Sequence, residues 1–464
     1  MTLEFPAFTK EKILADLKNL INDGTVSTDL ETLKKQSFSD KLAGQHGLAL
    51  AFIDAQSIPD IQATLAVARK YHLPVITQNK FTSTVIGADA SDNALILSTA
   101  SLNKIIELNT DDGYAIVEPG VINGDLDTAA REKGYFYAPD PASRPFAGIG
   151  GNIATNAGGL SGVKYGSTRD NVLGLKVVLA NGEVITVGGK TTKQAFGYDL
   201  THLFVGSEGT LGIIVEATVK LLPLPLGKSA MGLAFFQDMT TLAKATSAIR
   251  RSGSDPVMLE AIDINTLKAI DKFKNSNYSA NGNAALIFKI DGITDEKVEL
   301  LKNTLSEFSA TKVTLTSDES EQKQIIELRQ AMLPAIFTGR NAVMEDMAVP
   351  VTKMAELVDY IQKLSKEYSL EIFTSGHAGE GNLHPTITWS TDLKETPEEV
   401  SLIIKSMFNK ALELGGTISG EHAVGLLKNK WNNVELGESV DMLQHQIKNL
   451  FDPMGILNPK RKID

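Results

Sequence analysis

Two short segments near the C-terminal end carry the residue types that do chemistry. The first reads His377-Ala378-Gly379-Glu380-Gly381-Asn382-Leu383-His384, and the second Gly420-Glu421-His422-Ala423-Val424-Gly425. Three of the seven histidines fall in these segments. Imidazole and carboxylate groups set among glycines offer nitrogen and oxygen ligands on a backbone with the freedom to wrap an ion. A single histidine more often hydrogen-bonds inside a core. Two of them together with a Glu-His dipeptide predict a bound divalent metal instead. The chain has no cysteine, so thiolate zinc, iron–sulfur clusters and disulfides are excluded, and any metal takes N and O ligands.

A second kind of chemistry is written in two glycine strings. Pro139-Asp140-Pro141-Ala142-Ser143 leads into Gly148-Ile149-Gly150-Gly151-Asn152-Ile153-Ala154-Thr155-Asn156-Ala157-Gly158-Gly159, and Gly206-Ser207-Glu208-Gly209-Thr210-Leu211-Gly212-Ile213 follows later. Small residues let backbone N–H groups come close to a ligand, which suits a cofactor with phosphates and a planar ring. The spacing is not the Gly-x-Gly-x-x-Gly dinucleotide fingerprint, because the first string follows no clear strand and opens no helix at that spacing, so a Rossmann NAD site is disfavoured.

The elements that must position these groups alternate along the chain. An amphipathic leader helix is expected over Lys10–Asp23, then Leu48–Phe52, a helix Ile58–Tyr71, and strands Val75–Thr77, Ala94–Ser98 and Tyr114–Glu118. The stretch 138–166 lacks periodicity and reads as a long ordered loop, which usually wraps something. Val172–Leu179 and Val184–Val187 around Asn181-Gly182 predict a hairpin with a type I′ turn. A strand Gly212–Leu222 precedes Pro223 and Pro225, where a domain boundary is placed. Beyond it, helices Met239–Ser252, Glu296–Glu307, Asp318–Leu333, Lys353–Tyr368, Pro397–Leu414 and Ser439–Phe451 alternate with strands such as Ala284–Lys289 and Glu371–Thr374, a second α+β domain.

Composition bounds the function. A chain of 464 residues predicts roughly two to four domains, and a formal charge of −11 argues against a nucleic-acid partner, which needs a basic face. The N-terminal residues carry no signal-peptide pattern and no stretch approaches a membrane span. The expectation is a cytoplasmic protein with small-molecule partners, with docking on the periphery of a membrane left open.

The segments Ala138–Gly166, Gly206–Ile213, His377–His384, Gly415–Gly425 and Asp452-Pro453-Met454-Gly455-Ile456-Leu457-Asn458-Pro459 together resemble the FAD-dependent D-2-hydroxy acid dehydrogenases, which include D-lactate dehydrogenase and the flavin subunit of glycolate oxidase. The resemblance runs from about residue 45 to the end. It implies a helical leader (1–44), an FAD-binding domain of the vanillyl-alcohol oxidase type (45–224), and an FAD-linked oxidase C-terminal α+β domain that binds substrate and metal (225–464). It further implies non-covalent FAD lined by Pro139, Asp140, Ser143, Gly150, Gly151, Asn152, Thr155, Asn156, Gly158, Gly159, Tyr165, Gly166, Glu208, Gly212, Ile213 and Asn458. A divalent metal (zinc, manganese or iron) is implied at His377, His384 and Glu421, with His422 taking the hydroxyl proton and Arg329 gripping the substrate carboxylate. The substrate so implied is a small 2-hydroxy acid. With no cysteine for an on-board relay, electrons pass to an external acceptor: quinone, cytochrome, another flavoprotein or oxygen.

Two segments depart from the family. Where a glycine-rich loop is usual after Pro74-Val75-Ile76, this chain has Thr77-Gln78-Asn79-Lys80-Phe81-Thr82-Ser83, and the closing motif reads Asn458-Pro459-Lys460. Side chains with a β-carbon restrict left-handed conformations, so this loop is expected to take another path or to bind FAD more weakly, with Lys80 available to a phosphate. No histidine lies between 77 and 87, which excludes covalent flavin attachment there. Two competing readings use the same residues: a metal-dependent hydrolase built on His377, His384 and Glu421, and a non-catalytic partner subunit that retains the flavin fold with weakened FAD binding.

Overall fold

A computed structural model describes residues 7–39, 47–393 and 395–463. The boundary drawn between residues 44 and 45 lies outside the described residues. Two compact units divide the chain: the described parts of Met1–Gly158, Gly166–Leu224 and Glu421–Asp464 form the first, and Gly159–Tyr165 with Pro225–Gly420 the second. The last 44 residues therefore belong with the N-terminal half, although they follow the second unit in sequence. Among the described residues, no helix is long and apolar enough to cross a membrane.

The first unit is built on two sheets. Ala51–Asp54, Leu95–Ser98 and Val75–Gln78 lie parallel in that order, with Thr25–Ser27 antiparallel at the outer edge. Their runs of Val, Ile and Leu are buried, as strands of a parallel sheet must be. The helix Ile58–Tyr71 starts on a capping box between Ser57 and Asp60. The leader helix forms as Ala7–Leu20 and packs Ile13 and Leu17, both fully buried, beside Ile61 and Leu65. Each such side chain contributes about 1.5–3 kcal/mol.

The second sheet of this unit is antiparallel in the order Ile105–Asn109, Tyr114–Val117, Ile213–Lys220, Val172–Val178, Val184–Gly188. The hairpin at Asn181-Gly182 forms, but its turn is not type I′. Gly182 alone is left-handed, at φ 86°, and its N–H donates to Leu179 O at 2.8 Å. A type I′ turn needs two left-handed residues, and Asn181 is not one. The stretch 138–166 is likewise not a plain loop: it folds a short helix Ile149–Thr155, which ends on left-handed Asn156, and a turn of helix at Gly162–Tyr165. At the edge of the parallel sheet, Val75 N–H donates to Ile456 O at 2.7 Å and Asn458 N–H to Val75 O at 2.9 Å, so the chain's last segment continues the sheet.

The second unit holds one eight-stranded antiparallel sheet. Its order is Lys312–Thr316, Ala230–Phe236, Ala284–Ile290, Pro256–Asp263, Glu371–His377, Asn382–Ser390 and Arg340–Met344, with Met347–Ala348 also on Asn382–Ser390. Helices start where a side-chain oxygen takes up the first free N–H groups: Asp238, Asp263, Thr294 and Asp318 each cap one. The single helix expected over Asp318–Leu333 is broken into Glu319–Gln330 and Met332–Phe337. Pro334 has no N–H to continue the ladder and is tolerated only in a first turn.

Candidate active site

The register of the second unit's sheet assembles its chemistry. The strand expected to stop at Thr374 continues through His377, and Asn382–Ser390 returns beside it. Glu260 is directly opposite His377, and Ser375 directly opposite His384. Because side chains alternate along a strand, Glu260, His377 and His384 share one face. The histidines are thus diagonal neighbours on paired strands, held by ladder hydrogen bonds and not by flexible glycine backbone. Both are buried. Their rings meet edge to face with centroids 5.3 Å apart, and a ligand nitrogen of one lies within 4.8 Å of one of the other.

Carboxylates stand behind this pair. Glu260 Oε1 is 2.5 Å from His377 Nδ1, and Asp346 Oδ1 is 3.6 Å from His384 Nδ1. Asp346 is also held by Asn382 Nδ2 at 2.7 Å and Ser419 Oγ at 3.4 Å. Arg329, in the last turn of Glu319–Gln330, donates from Nε to Glu260 Oε2 at 2.8 Å, so it is no solvated surface charge. Burial alone would raise the Glu260 pKa; its hydrogen-bonded neighbours, the His377 imidazole and the Arg329 guanidinium, overcome that and hold it down at about 2. Neither Glu260 nor Asp346 stands out by motif. The available signal is an acidic residue inside Pro256-Val257-Met258-Leu259-Glu260-Ala261-Ile262, an otherwise apolar buried strand, since a charge is buried only when paired.

Three residues along the same strand, on the opposite face, Asp263 behaves the other way. Burial pushes its carboxyl up to about 6, although the N–H groups of Thr266 and Thr374 pull it down. An unfolded aspartic acid releases its proton near pH 4. Between these values the folded chain holds a proton that the unfolded chain has lost. The contribution of Asp263 to stability therefore falls as pH rises from about 4 to about 6 and is level above. Asp263→Asn, which has no charge to bury, removes this slope. The wild-type unfolding free energy relative to D263N is expected to fall by on the order of 2 kcal/mol over that window in denaturant titrations. Parallel pH profiles would refute it.

In the first unit, the segment after His422 is clamped. Glu208, left-handed at φ 54°, accepts Val424 N–H at 2.9 Å and Gly425 N–H at 2.8 Å with its carboxylate. Asn458 bridges Glu208 O, at 2.6 Å, and Thr77 N–H, at 2.7 Å. Gly158 faces Glu421, and a β-carbon there would be driven into Glu421 Oε2. His422 Nε2 is 3.9 Å from Glu421 Oε1.

The remaining residues expected at the cofactor are placed as follows. Gly150, Gly151, Asn152 and Thr155 lie in Ile149–Thr155, and Asn156 accepts Ser167 Oγ–H and Arg169 N–H. Pro139 O accepts from Asn123 Nδ2 at 3.1 Å. Ser143 O takes the N–H groups of Phe146 and Ala147, with Asp140 three residues before it in the same loop. Gly166 is left-handed, and Gly212 immediately precedes the strand Ile213–Lys220, which Ile213 opens. Gly159 and Tyr165 belong to the second unit, where Tyr165 O–H is 3.5 Å from Asp291 Oδ2. In the loop after Val75–Gln78, Phe81 and Ile86 are both left-handed, at φ 56°, so the loop keeps a glycine-like path without glycine, at about 1–3 kcal/mol each. Lys80 Nζ donates to Ala100 O at 3.2 Å.

With this geometry in place, the chain's family is plain: it is a member of the FAD-linked oxidases, of the vanillyl-alcohol oxidase fold. Residues 49–188 match the FAD binding domain model and 227–461 the C-terminal domain model of the FAD linked oxidases. The glycolate oxidase subunit GlcD of Bacillus subtilis (strain 168) is 38% identical, with 88% of each chain covered. A D-lactate dehydrogenase of Anaerostipes hadrus is 32% identical, with 88% of each covered. Among solved structures, p-cresol methylhydroxylase superposes with a TM-score of 0.82 at 17% identity, covering 99% of this chain and 98% of that one.

The first unit fits FAD on its own evidence. Thr77 Oγ1, Asn79 Oδ1 and Asn123 Oδ1, all in the first unit, are buried polar atoms with no hydrogen-bond partner. Buried oxygens in that state are costly unless a ligand donates to them. The chain is an FAD-linked oxidoreductase.

Proposed function

We propose that this protein oxidises a small D-2-hydroxy acid, D-lactate or glycolate, to the 2-oxo acid. The observation that carries this reading is the buried cluster of His377, His384, Glu260 and Arg329, in which two paired imidazoles, one of them bonded to a carboxylate, lie beside a guanidinium held by that same carboxylate. It has what a hydroxy acid requires: ligands for a cation that takes the hydroxyl oxygen, and a cation for the carboxylate.

His377, His384 and Glu421 would hold a divalent metal, for which two histidines and a carboxylate suit zinc, manganese or iron. Such an ion lowers the pKa of a bound hydroxyl. FAD, when bound by the first unit, supplies the acceptor for the α-hydride. His422 takes the hydroxyl proton, a task for which an imidazole is matched near neutral pH. Arg329 commits Nε to Glu260 and retains both Nη groups for the substrate carboxylate, fixing which face of the α-carbon is presented. The clamp of Glu208 on Val424 and Gly425 holds His422 at its post. Electrons then leave to quinone, a cytochrome, another flavoprotein or oxygen. A hydrolase would leave the whole FAD binding domain without purpose.

Anaerobic addition of D-lactate or glycolate to the FAD-loaded protein is expected to bleach the flavin absorbance. Bleaching by neither acid would end this reading.

A further inference from the structure

We propose that Glu260 is the positioning residue of this site. One carboxylate orients His377 with one oxygen and Arg329 with the other, so that cation affinity and the hold on the substrate carboxylate are set together. The inference rests on the reading above that His377 ligates metal and Arg329 binds substrate.

Glu260 is 1% exposed and spends each oxygen on a different partner: Oε1 on His377 Nδ1 at 2.5 Å and Oε2 on Arg329 Nε at 2.8 Å. An ionised carboxylate only accepts, so Nδ1 of His377 carries the hydrogen and the Nε2 lone pair is left for the cation. A carboxylate behind a ligating imidazole fixes its tautomer and raises its basicity. The same carboxylate takes Arg329 through Nε, which leaves the guanidinium's two Nη groups to bind a carboxylate as a fork. Asp346 does not share this role: it lies 3.6 Å from His384, beyond hydrogen-bond reach, and its 2.7 Å contact is with Asn382. Strand register makes the arrangement rigid, because Glu260 and His377 are a directly opposed pair.

A merely structural ion pair would change melting temperature and nothing else. The test uses the full chain loaded with FAD and compares wild type, Glu260→Gln and Arg329→Gln by Zn²⁺ titration against a competing chelator and by the D-lactate or glycolate dependence of anaerobic flavin reduction at saturating Zn²⁺. E260Q is expected to weaken Zn²⁺ by about 10–100-fold and also to raise the half-saturating substrate concentration at least about tenfold. R329Q is expected to raise the half-saturation alone. Glu260→Asp retains the charge but falls a methylene short, so it decides the matter if E260Q does not fold, with smaller losses of both kinds. Wild-type Zn²⁺ affinity in the folded Glu260 variants, or a Zn²⁺ loss in them with unchanged half-saturation, overturns the coupling. A wild type that binds no Zn²⁺ and is reduced by neither acid overturns the functional reading and this one with it; a fully active wild type matched by E260Q overturns this one alone.

Discussion

His422→Asn is expected to slow flavin reduction by a saturating 2-hydroxy acid roughly 10²–10⁴-fold, the usual contribution of a placed proton acceptor, while FAD stays bound. Asparagine retains polarity and approximate size but cannot take a proton near neutral pH. The groups around it explain why binding survives: Val424 and Gly425 are held by Glu208 through backbone N–H groups, which the substitution leaves untouched. Glu208 is tied in turn to Asn458, and Asn458 to Thr77. Stopped-flow reduction with flavin content measured on the same sample checks it. A variant within about threefold of wild type would remove His422 from the proton step.

His384→Ala, or exhaustive chelation of the wild type, is expected to cost several kcal/mol of transition-state stabilisation, about a thousandfold in the same reaction. The ligand lies on the strand Asn382–Ser390 of the second unit, whereas the buried oxygens assigned to FAD lie in the first. Flavin content should therefore hold steady as metal content and rate fall together, and Zn²⁺, Mn²⁺ or Fe²⁺ should restore the chelated wild type but not H384A. Metal-free protein with full activity would show that the histidine pair serves some other end. The two experiments separate the proton acceptor from the ligand set, because H422N is expected to retain its metal.

Some of this was legible from letters alone. Period-3.6 and period-2 patterns located most helices and strands, because an element that buries one face must repeat its apolar residues at the spacing of that face. The two glycine strings flagged a cofactor with phosphates and a planar ring, and the first His-Gly segment marked the imidazoles that the second unit's sheet sets side by side. The errors were local and physical. Pro334 divided a helix whose apolar pattern ran straight through it. Left-handed Gly182 closed a hairpin turn of a kind that the Asn-Gly pair alone did not indicate. The glycine string around Gly150 folded partly into helix.

Residue types and their order determined which donors this protein owns: nitrogen and oxygen ligands, no thiolate, long runs of small residues, and an arginine in a helix. Only the fold decided which of them meet. Glu260 and His377 are 117 residues apart and become neighbours through strand register; Asn458 reaches Thr77 across 381 residues because the last segment of the chain returns to the edge of the first sheet. Hydrophobic periodicity states which side of an element is inward, but it does not state which inward sides face one another. That is set by the pairing of strands, and pairing is a property of the whole chain.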